Sequence, residues 1–141
     1  MDRTPLPPDE TVLVRAYRPD DEDALFALIE REGEEWKDYW QGSGRAKYLT
    51  ALTGSIVDVL FEGDELCGYV RSRDDDGFGV YILDLLVDQR HRGKHHGRRL
   101  MEHVCQQHPD DDVYVTSDVD PYYEKLGYTR EGTVFVVQRR P

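Results

Sequence analysis

The sequence is poor in several features that would place it outside the ordinary globular class. It has only two cysteines in 141 residues, Cys67 and Cys105, which excludes a disulfide framework, and neither lies in a CxxC or Cys/His metal spacing. Both are expected to be buried thiols. Long hydrophobic runs are also missing. The apolar stretches reach only a few residues, far short of the roughly 20 needed to cross a bilayer, and the start MDRTPLPPDE has no apolar signal core. No membrane association and a cytoplasmic location are expected. Positive charge is scarce: 18 Lys and Arg stand against 29 Asp and Glu, a net charge of −11. Nucleic acid is therefore not expected as a partner, because its phosphates need clustered positive potential. There are no repeats and no low-complexity linkers, and the length suits one domain over residues 1–141.

What is present is an alternation of strand and helix patterns. TVLVRAY (11–17) alternates like a strand. PDDEDALFALIERE (19–32) opens with proline and acids, then spaces its apolar residues like a helix. A further helical stretch from Glu34 is broken near Gly42 and Gly44 and resumes over 46–52. SIVDVLFE (55–62), the Gly63-Asp64 turn and ELCGYVRSR (65–73) read as a hairpin. VYILDLLVD (80–88) is nearly continuous apolar sequence, the pattern of a central strand covered on both faces. A helix over 98–108, a short strand over 112–117, a short helix over 120–127 and a last strand over 133–140 complete the chain. The strand-helix-strand unit in the second half implies a parallel pair.

Charge is not evenly spread. Arg90, Arg92, Lys94, Arg98 and Arg99 fall within ten residues that hold no acid. Cations at a helix N-terminus oppose the helix dipole, so helix stability does not explain them. An anion does. Gly93 and Gly97 allow a tight turn and close approach, and the free N–H groups of the new helix point at the same place, a geometry suited to a diphosphate. The plainer alternative is a solvated basic turn. A nucleotide P-loop is excluded, because His95 follows Lys94 where Ser or Thr is required. No metal site is expected, since His91, His95 and His96 lie among cations that repel one.

The run LLVDQRHRGKHHGRRLM (85–101) resembles the cofactor motif of the GCN5-related N-acetyltransferases, the GNAT superfamily: a strand followed by an Arg/Gln-x-x-Gly-x-Gly/Ala loop. Arg92 matches its first position and Gly97 its last, with His95 at the usual middle glycine. YYEKLGY (122–128) resembles the tyrosine-bearing helix and turn of the same superfamily. The resemblance implies a mixed, mostly antiparallel central sheet of six to seven strands flanked by helices and splayed at its parallel pair. It also implies acetyl-CoA as co-substrate and acetyl transfer to a primary amine of a small molecule or peptide by direct attack on the thioester. A non-catalytic CoA-binding module is the alternative.

On this resemblance the cofactor-binding residues are Leu85, Leu86, Val87, Arg92, Gly93, Lys94, His95, His96, Gly97 and Arg98. The first three offer backbone N–H groups to the thioester oxygen. Tyr123 matches the general acid, whose phenol protonates the departing thiolate, while a structural role is its alternative and Tyr122 is expected to pack into the sheet. Asp84 interrupts an apolar strand. It faces either a cleft, where it accepts the amine's proton, or a cation such as Arg71. Trp36, Tyr39 and Trp40 at i, i+3 and i+4, with acids around them, form either an aromatic box for a cationic amine, with Trp36 and Trp40 touching substrate, or ordinary core. A C-terminal edge strand makes a homodimer an expected option.

Overall fold

The computed structural model describes residues 4–140. Strand β1 (Val12–Ala16) leads through a 3-10 turn into helix α1 (Glu22–Glu32). The broken helical stretch resolves into α2 (Lys37–Trp40) and α3 (Gly44–Thr53). Strands β2 (Ile56–Glu62), β3 (Glu65–Asp74) and β4 (Val80–Val87) follow, then α4 (His96–Gln107), β5 (Val113–Val115) and α5 (Asp120–Lys125). The sheet order is β1-β2-β3-β4-β5, antiparallel as far as β4 and parallel between β4 and β5.

The sheet is covered on both faces. On one, Leu25, Phe26, Leu28 and Ile29 of α1 and Tyr48 and Leu52 of α3 pack on Val57, Val59, Tyr69 and Leu86. On the other, Leu100, Met101 and Val104 of α4 pack on Leu60, Val70, Val80 and Ile82. Each fully buried side chain of this kind contributes about 1.5–3 kcal/mol, so three such anchors hold α4 firmly on the sheet. Cys67 is buried, but Cys105 is exposed, contrary to expectation. It follows Val104 by one residue, about 100° round the helix, and so turns out of the apolar stripe.

Two features of the sheet depart from the pattern read in the sequence. Arg71 pairs with Asp84 but Ser72 pairs with Ile82, so Leu83 is an extra residue in β4. A one-residue slip reverses the faces of a strand. Hence Val80 and Ile82 lie on the α4 side, whereas Asp84 and Leu86 lie on the α1–α3 side.

The second concerns sheet size. Five strands form rather than six to seven. Residues 133–140 are not a strand, although their sequence alternates. Val134, Phe135, Val136 and Val137 are 75–88% exposed. β-propensity supplies an extended backbone, but a strand exists only where a ladder partner accepts its hydrogen bonds, and among the described residues none does.

Candidate active site

Strand β5 pairs with β4 only over Val80–Val113, Tyr81–Tyr114 and Ile82–Val115. The Thr116 N–H donates to the Ile82 carbonyl at 3.4 Å. Beyond this point β4 continues to Val87, and among the described residues no strand pairs with its β5 side. Leu85, Leu86 and Val87 therefore have no neighbouring strand on that side among the described residues.

The basic loop follows directly from the end of β4 and leads into α4. Gly93 has φ +82°, and His95 lies in the left-handed region at φ +66°, the backbone conformation that glycine adopts without strain. Arg99 N–H makes the first helical bond, to the His95 carbonyl, and His95 contributes no side-chain cap. The amides of His96, Gly97 and Arg98 consequently have no intrahelical acceptor and gather at the start of a twelve-residue helix, a place where anions bind. A shallow cleft of about 270 Å³, lined by Leu28, Arg31, Glu32, Asp88, Gln89 and Arg90, opens beside the loop.

Each cation of the loop has an acceptor inside the protein. Arg90 donates to Asp88 (2.9 Å) and Glu65 (2.7 Å), and Arg31 reaches the same Asp88 at 2.8 Å. Arg92 Nε donates to the Val87 carbonyl at 3.0 Å and its Nη2 to Glu32 at 2.7 Å. Lys94 lies 3.0 Å from Glu62. Arg98 turns away from the loop, to Glu102 at 2.9 Å and to the Thr4 carbonyl. Arg99 donates to the Pro7 carbonyl at 3.0 Å. Arg92 and Lys94 stay half exposed, whereas Arg98 is buried.

Sequence reasoning missed the acids in this arrangement. Asp88 is buried, and hydrogen bonds from Arg90, then Arg31, hold its carboxyl far below the usual range. It ties the loop to α1, and its position directly after the strand was the available signal. Glu62, Glu65 and Glu32 come from three separate elements and carried none. Glu62 Oε2 lies 2.9 Å from His91 Nδ1 and 3.0 Å from His96 Nε2. These bonds, led by His96 and Lys94, bring its carboxyl down to about 2. Glu62, Cys67 and His91 also place one ligand atom each within 4.8 Å of one another. Burial raises the Cys67 thiol to about 11, and Lys94 already supplies positive charge to the cluster.

On the other face of β4, Asp84 sits in a buried polar network. Its Oδ2 accepts from Arg71 Nε at 2.5 Å and Tyr48 hydroxyl at 2.6 Å, and Tyr48 meets Tyr69 hydroxyl at 2.7 Å. Its Oδ1 takes Tyr39, at 3.4 Å. Of the two expectations for Asp84, the pairing with Arg71 is the one seen. Burial is the first cause of the raised pKa values of Tyr39, Tyr48 and Tyr69, with Asp84 or a neighbouring phenol adding to it. Trp36 lies 5.3 Å from Tyr39 and 6.5 Å from Tyr69, ring centre to ring centre. Trp36, Tyr39 and Trp40 are partly buried against the α1–α3 core. The Trp40 indole N–H is buried with no acceptor among the described residues.

The tyrosine pair on α5 is arranged differently from expectation. A methyl group added at Gly97 would meet the Tyr122 hydroxyl at 2.5 Å, so it is Tyr122 whose phenol stands over the loop's last glycine. Tyr123 packs against the α4-side core and stacks on Tyr128 at 6.3 Å, and burial raises its phenol to about 12.

Fold and site together define a mixed α/β domain with a basic loop at the end of β4, beyond a short parallel pair. The chain belongs to the GNAT acetyltransferase family, whose profile matches residues 13–128. No curated protein matches it. Among solved structures, it is similar to an aminoglycoside N-acetyltransferase, AAC(6')-Iy, in complex with CoA (TM-score 0.73, 11% identity, 96% of this chain and 99% of that one). It is also similar to a GNAT-family acetyltransferase from Streptococcus pneumoniae TIGR4 (0.69, 17%, 91% and 99%). A third likeness is to a putative acetyltransferase from Deinococcus radiodurans R1 (0.67, 21%, 92% and 90%). At these identities the likeness concerns the fold. No helix among the described residues is long and apolar enough to cross a membrane.

Proposed function

We propose that the protein transfers an acetyl group from acetyl-CoA to a primary amine of a small molecule or peptide in the cytoplasm, by direct attack on the thioester. The carrying observation is the end of β4 beyond Ile82, which no strand among the described residues pairs on the β5 side, running into the loop and the N-terminus of α4. In this reading the diphosphate takes the amides at 93–97 with Arg92 and Lys94, and the pantetheine amides pair with Leu85, Leu86 and Val87. The N–H groups of that edge hold the thioester oxygen as negative charge develops on it, the largest electrostatic contribution in acyl transfer. His95 and His96 lend backbone rather than ring, and Arg98 acts through its amide, because its guanidinium is committed elsewhere.

The amine enters beside Trp36 and Trp40, where the acids of 34–38 draw a cation and the Trp40 N–H finds an acceptor on the substrate. Asp84 Oδ1, the less tightly bonded of its two oxygens, takes the amine's proton directly or through water, and Tyr123 returns one to the thiolate. The amine nitrogen bonds the acetyl carbon as the carbon–sulfur bond breaks, so the products are an amide and CoA.

One observation favours the alternative of a CoA-binding module without turnover: the Tyr123 ring stacks on Tyr128 and packs against the α4-side core. A homodimer joined through the exposed 134–137 tail belongs to the same proposal. The test is calorimetric titration of acetyl-CoA into wild type and an Arg92→Ala, Lys94→Ala double variant, followed by an amine screen. Binding that weakens in the variant, with acetylated product, supports the enzyme. Binding without product for any amine supports the module, and no binding by wild type removes both.

A further inference from the structure

We infer that Glu62 is an internal anion that competes with the cofactor's phosphates for the loop, so that only a multiply charged phosphate displaces it. The inference deepens the cofactor reading above and rests on it. Glu62 ends β2, immediately before the Gly63-Asp64 turn of the hairpin, and its carboxylate is directed at the loop. Four contacts converge on it. Oε1 takes Lys94 Nζ at 3.0 Å, while Oε2 has Lys94 Nζ at 3.3 Å, His91 Nδ1 at 2.9 Å and His96 Nε2 at 3.0 Å. A carboxylate only accepts, so the ring nitrogens of His91 and His96 that face it carry their protons towards it.

Lys94 is the loop cation between Gly93 and Gly97, and His96 is the first residue of α4. The groups that Glu62 gathers are therefore drawn from the segment that would receive a diphosphate. Glu32 acts on Arg92 in the same way, at 2.7 Å, and Glu65 completes the rim on Arg90 and on the outer nitrogen of His91. Without these acids a strongly basic ten-residue loop would collect any anion in its surroundings. With them, and with Asp88 on Arg90 and Glu102 on Arg98, the five cations of the loop face five carboxylates, and a single negative charge gains little by entering. A diphosphate carries at least two charges and several oxygens. It draws Lys94, half exposed and on a flexible stem, away from Glu62 while it fills the helix amides. The carboxyl itself, held down to about 2 first by His96 and then by Lys94, stays ionised throughout the working range, so the competing charge is always present.

The experiment is titration of acetyl-CoA into wild type, Glu62→Gln and Glu65→Gln, with inorganic pyrophosphate and inorganic phosphate as probes of thermal stability. Glu62→Gln is expected to tighten acetyl-CoA binding about three- to tenfold, and Glu65→Gln to change it much less. At about pH 6, where inorganic phosphate carries mainly one charge and pyrophosphate at least two, wild type should be stabilised by pyrophosphate alone, and Glu62→Gln by phosphate as well. Unchanged or weaker binding by Glu62→Gln, with wild type binding normally, would overturn the competition and leave the cofactor reading intact. No binding of acetyl-CoA by any of the three proteins would overturn both. Should Glu62→Gln melt below the assay temperature, Glu62→Asp keeps the charge but draws it back by one methylene. A smaller tightening is then expected, and its absence counts against the competition.

Discussion

Arg71 on β3 and Asp84 on β4 are cross-strand partners whose side chains meet at 2.5 Å on the α1–α3 face, both largely buried. The extra residue at Leu83 makes this meeting happen, since without it Asp84 would turn to the α4 side. Breaking one side of a buried ion pair strands the other charge. Asp84→Asn is therefore expected to cost about 3–5 kcal/mol of stability, measured by urea unfolding. The double variant Arg71→Met, Asp84→Asn should lose less than Asp84→Asn alone, because no buried guanidinium remains unpaired. If the losses simply add, the pair is not coupled.

Gly97 and Tyr122 allow a sharper test. A Cβ at position 97 would lie 2.5 Å from the Tyr122 hydroxyl oxygen, with the ring carbon behind it at 3.6 Å. Gly97→Ala is expected to destabilise the protein by about 1–3 kcal/mol through overpacking. Adding Tyr122→Phe removes the offending oxygen and should recover most of that loss in a thermal melt. Lack of recovery would mean that Tyr122 does not stand over this glycine.

The two tyrosines also differ in their expected chemistry. Tyr123→Phe is expected to lower kcat by about 10²-fold or more while leaving acetyl-CoA binding in place, the pattern of a lost proton donor. Because burial raises the Tyr123 phenol to about 12, the donor stays protonated and no alkaline fall in kcat from this group is expected below about pH 11. Wild-type kinetics against pH, beside those of Tyr123→Phe, check both statements.

Stability should fall at both ends of the pH scale. Asp21, Asp88 and Glu62 are held below their ordinary carboxylate range, Asp21 first by Arg15, Asp88 first by Arg90 and Glu62 first by His96. For a depressed acid the contribution is complete above its unfolded value, near 4, and is lost as pH falls through the folded one, so acid unfolding should begin below about pH 4. Tyr48 and Tyr69 are raised instead, first by burial. Their neutral forms favour the folded state, and that contribution declines as pH rises past about 10. Circular dichroism against pH measures both limbs.

The tail from 133 to 140 is a separable feature. Its apolar residues touch neither core cluster and are 75–88% exposed at 134–137. Truncation after Gly132 is therefore expected to leave the thermal midpoint nearly unchanged. Self-association, followed by light scattering, should decrease, since an exposed apolar strand is a pairing hazard. A large fall in the midpoint on truncation would show that the tail is bound to the body of the protein.

Much of this protein was legible in its sequence because the signals are local. The strands β1 to β4 follow from the period of their apolar residues, α4 from its stripe, and the loop from five cations and two glycines in ten positions. The parallel pair followed from the length of the crossover. Other features depend on partners distant in the chain. The acids that neutralise the loop, Glu32, Glu62 and Glu65, come from the end of α1, the end of β2 and the start of β3, and no spacing rule links them to Lys94 or Arg92. Which tyrosine of the pair meets Gly97 is set by how α5 lies against α4. Whether 133–140 is a strand depends on a hydrogen-bonding neighbour, which alternation alone cannot supply. Sequence determined the elements and the concentration of positive charge because both are encoded within a few residues. Only the tertiary structure decided the pairing of those charges and the direction of Asp84, because both arise from contacts between elements and from one extra residue in a strand.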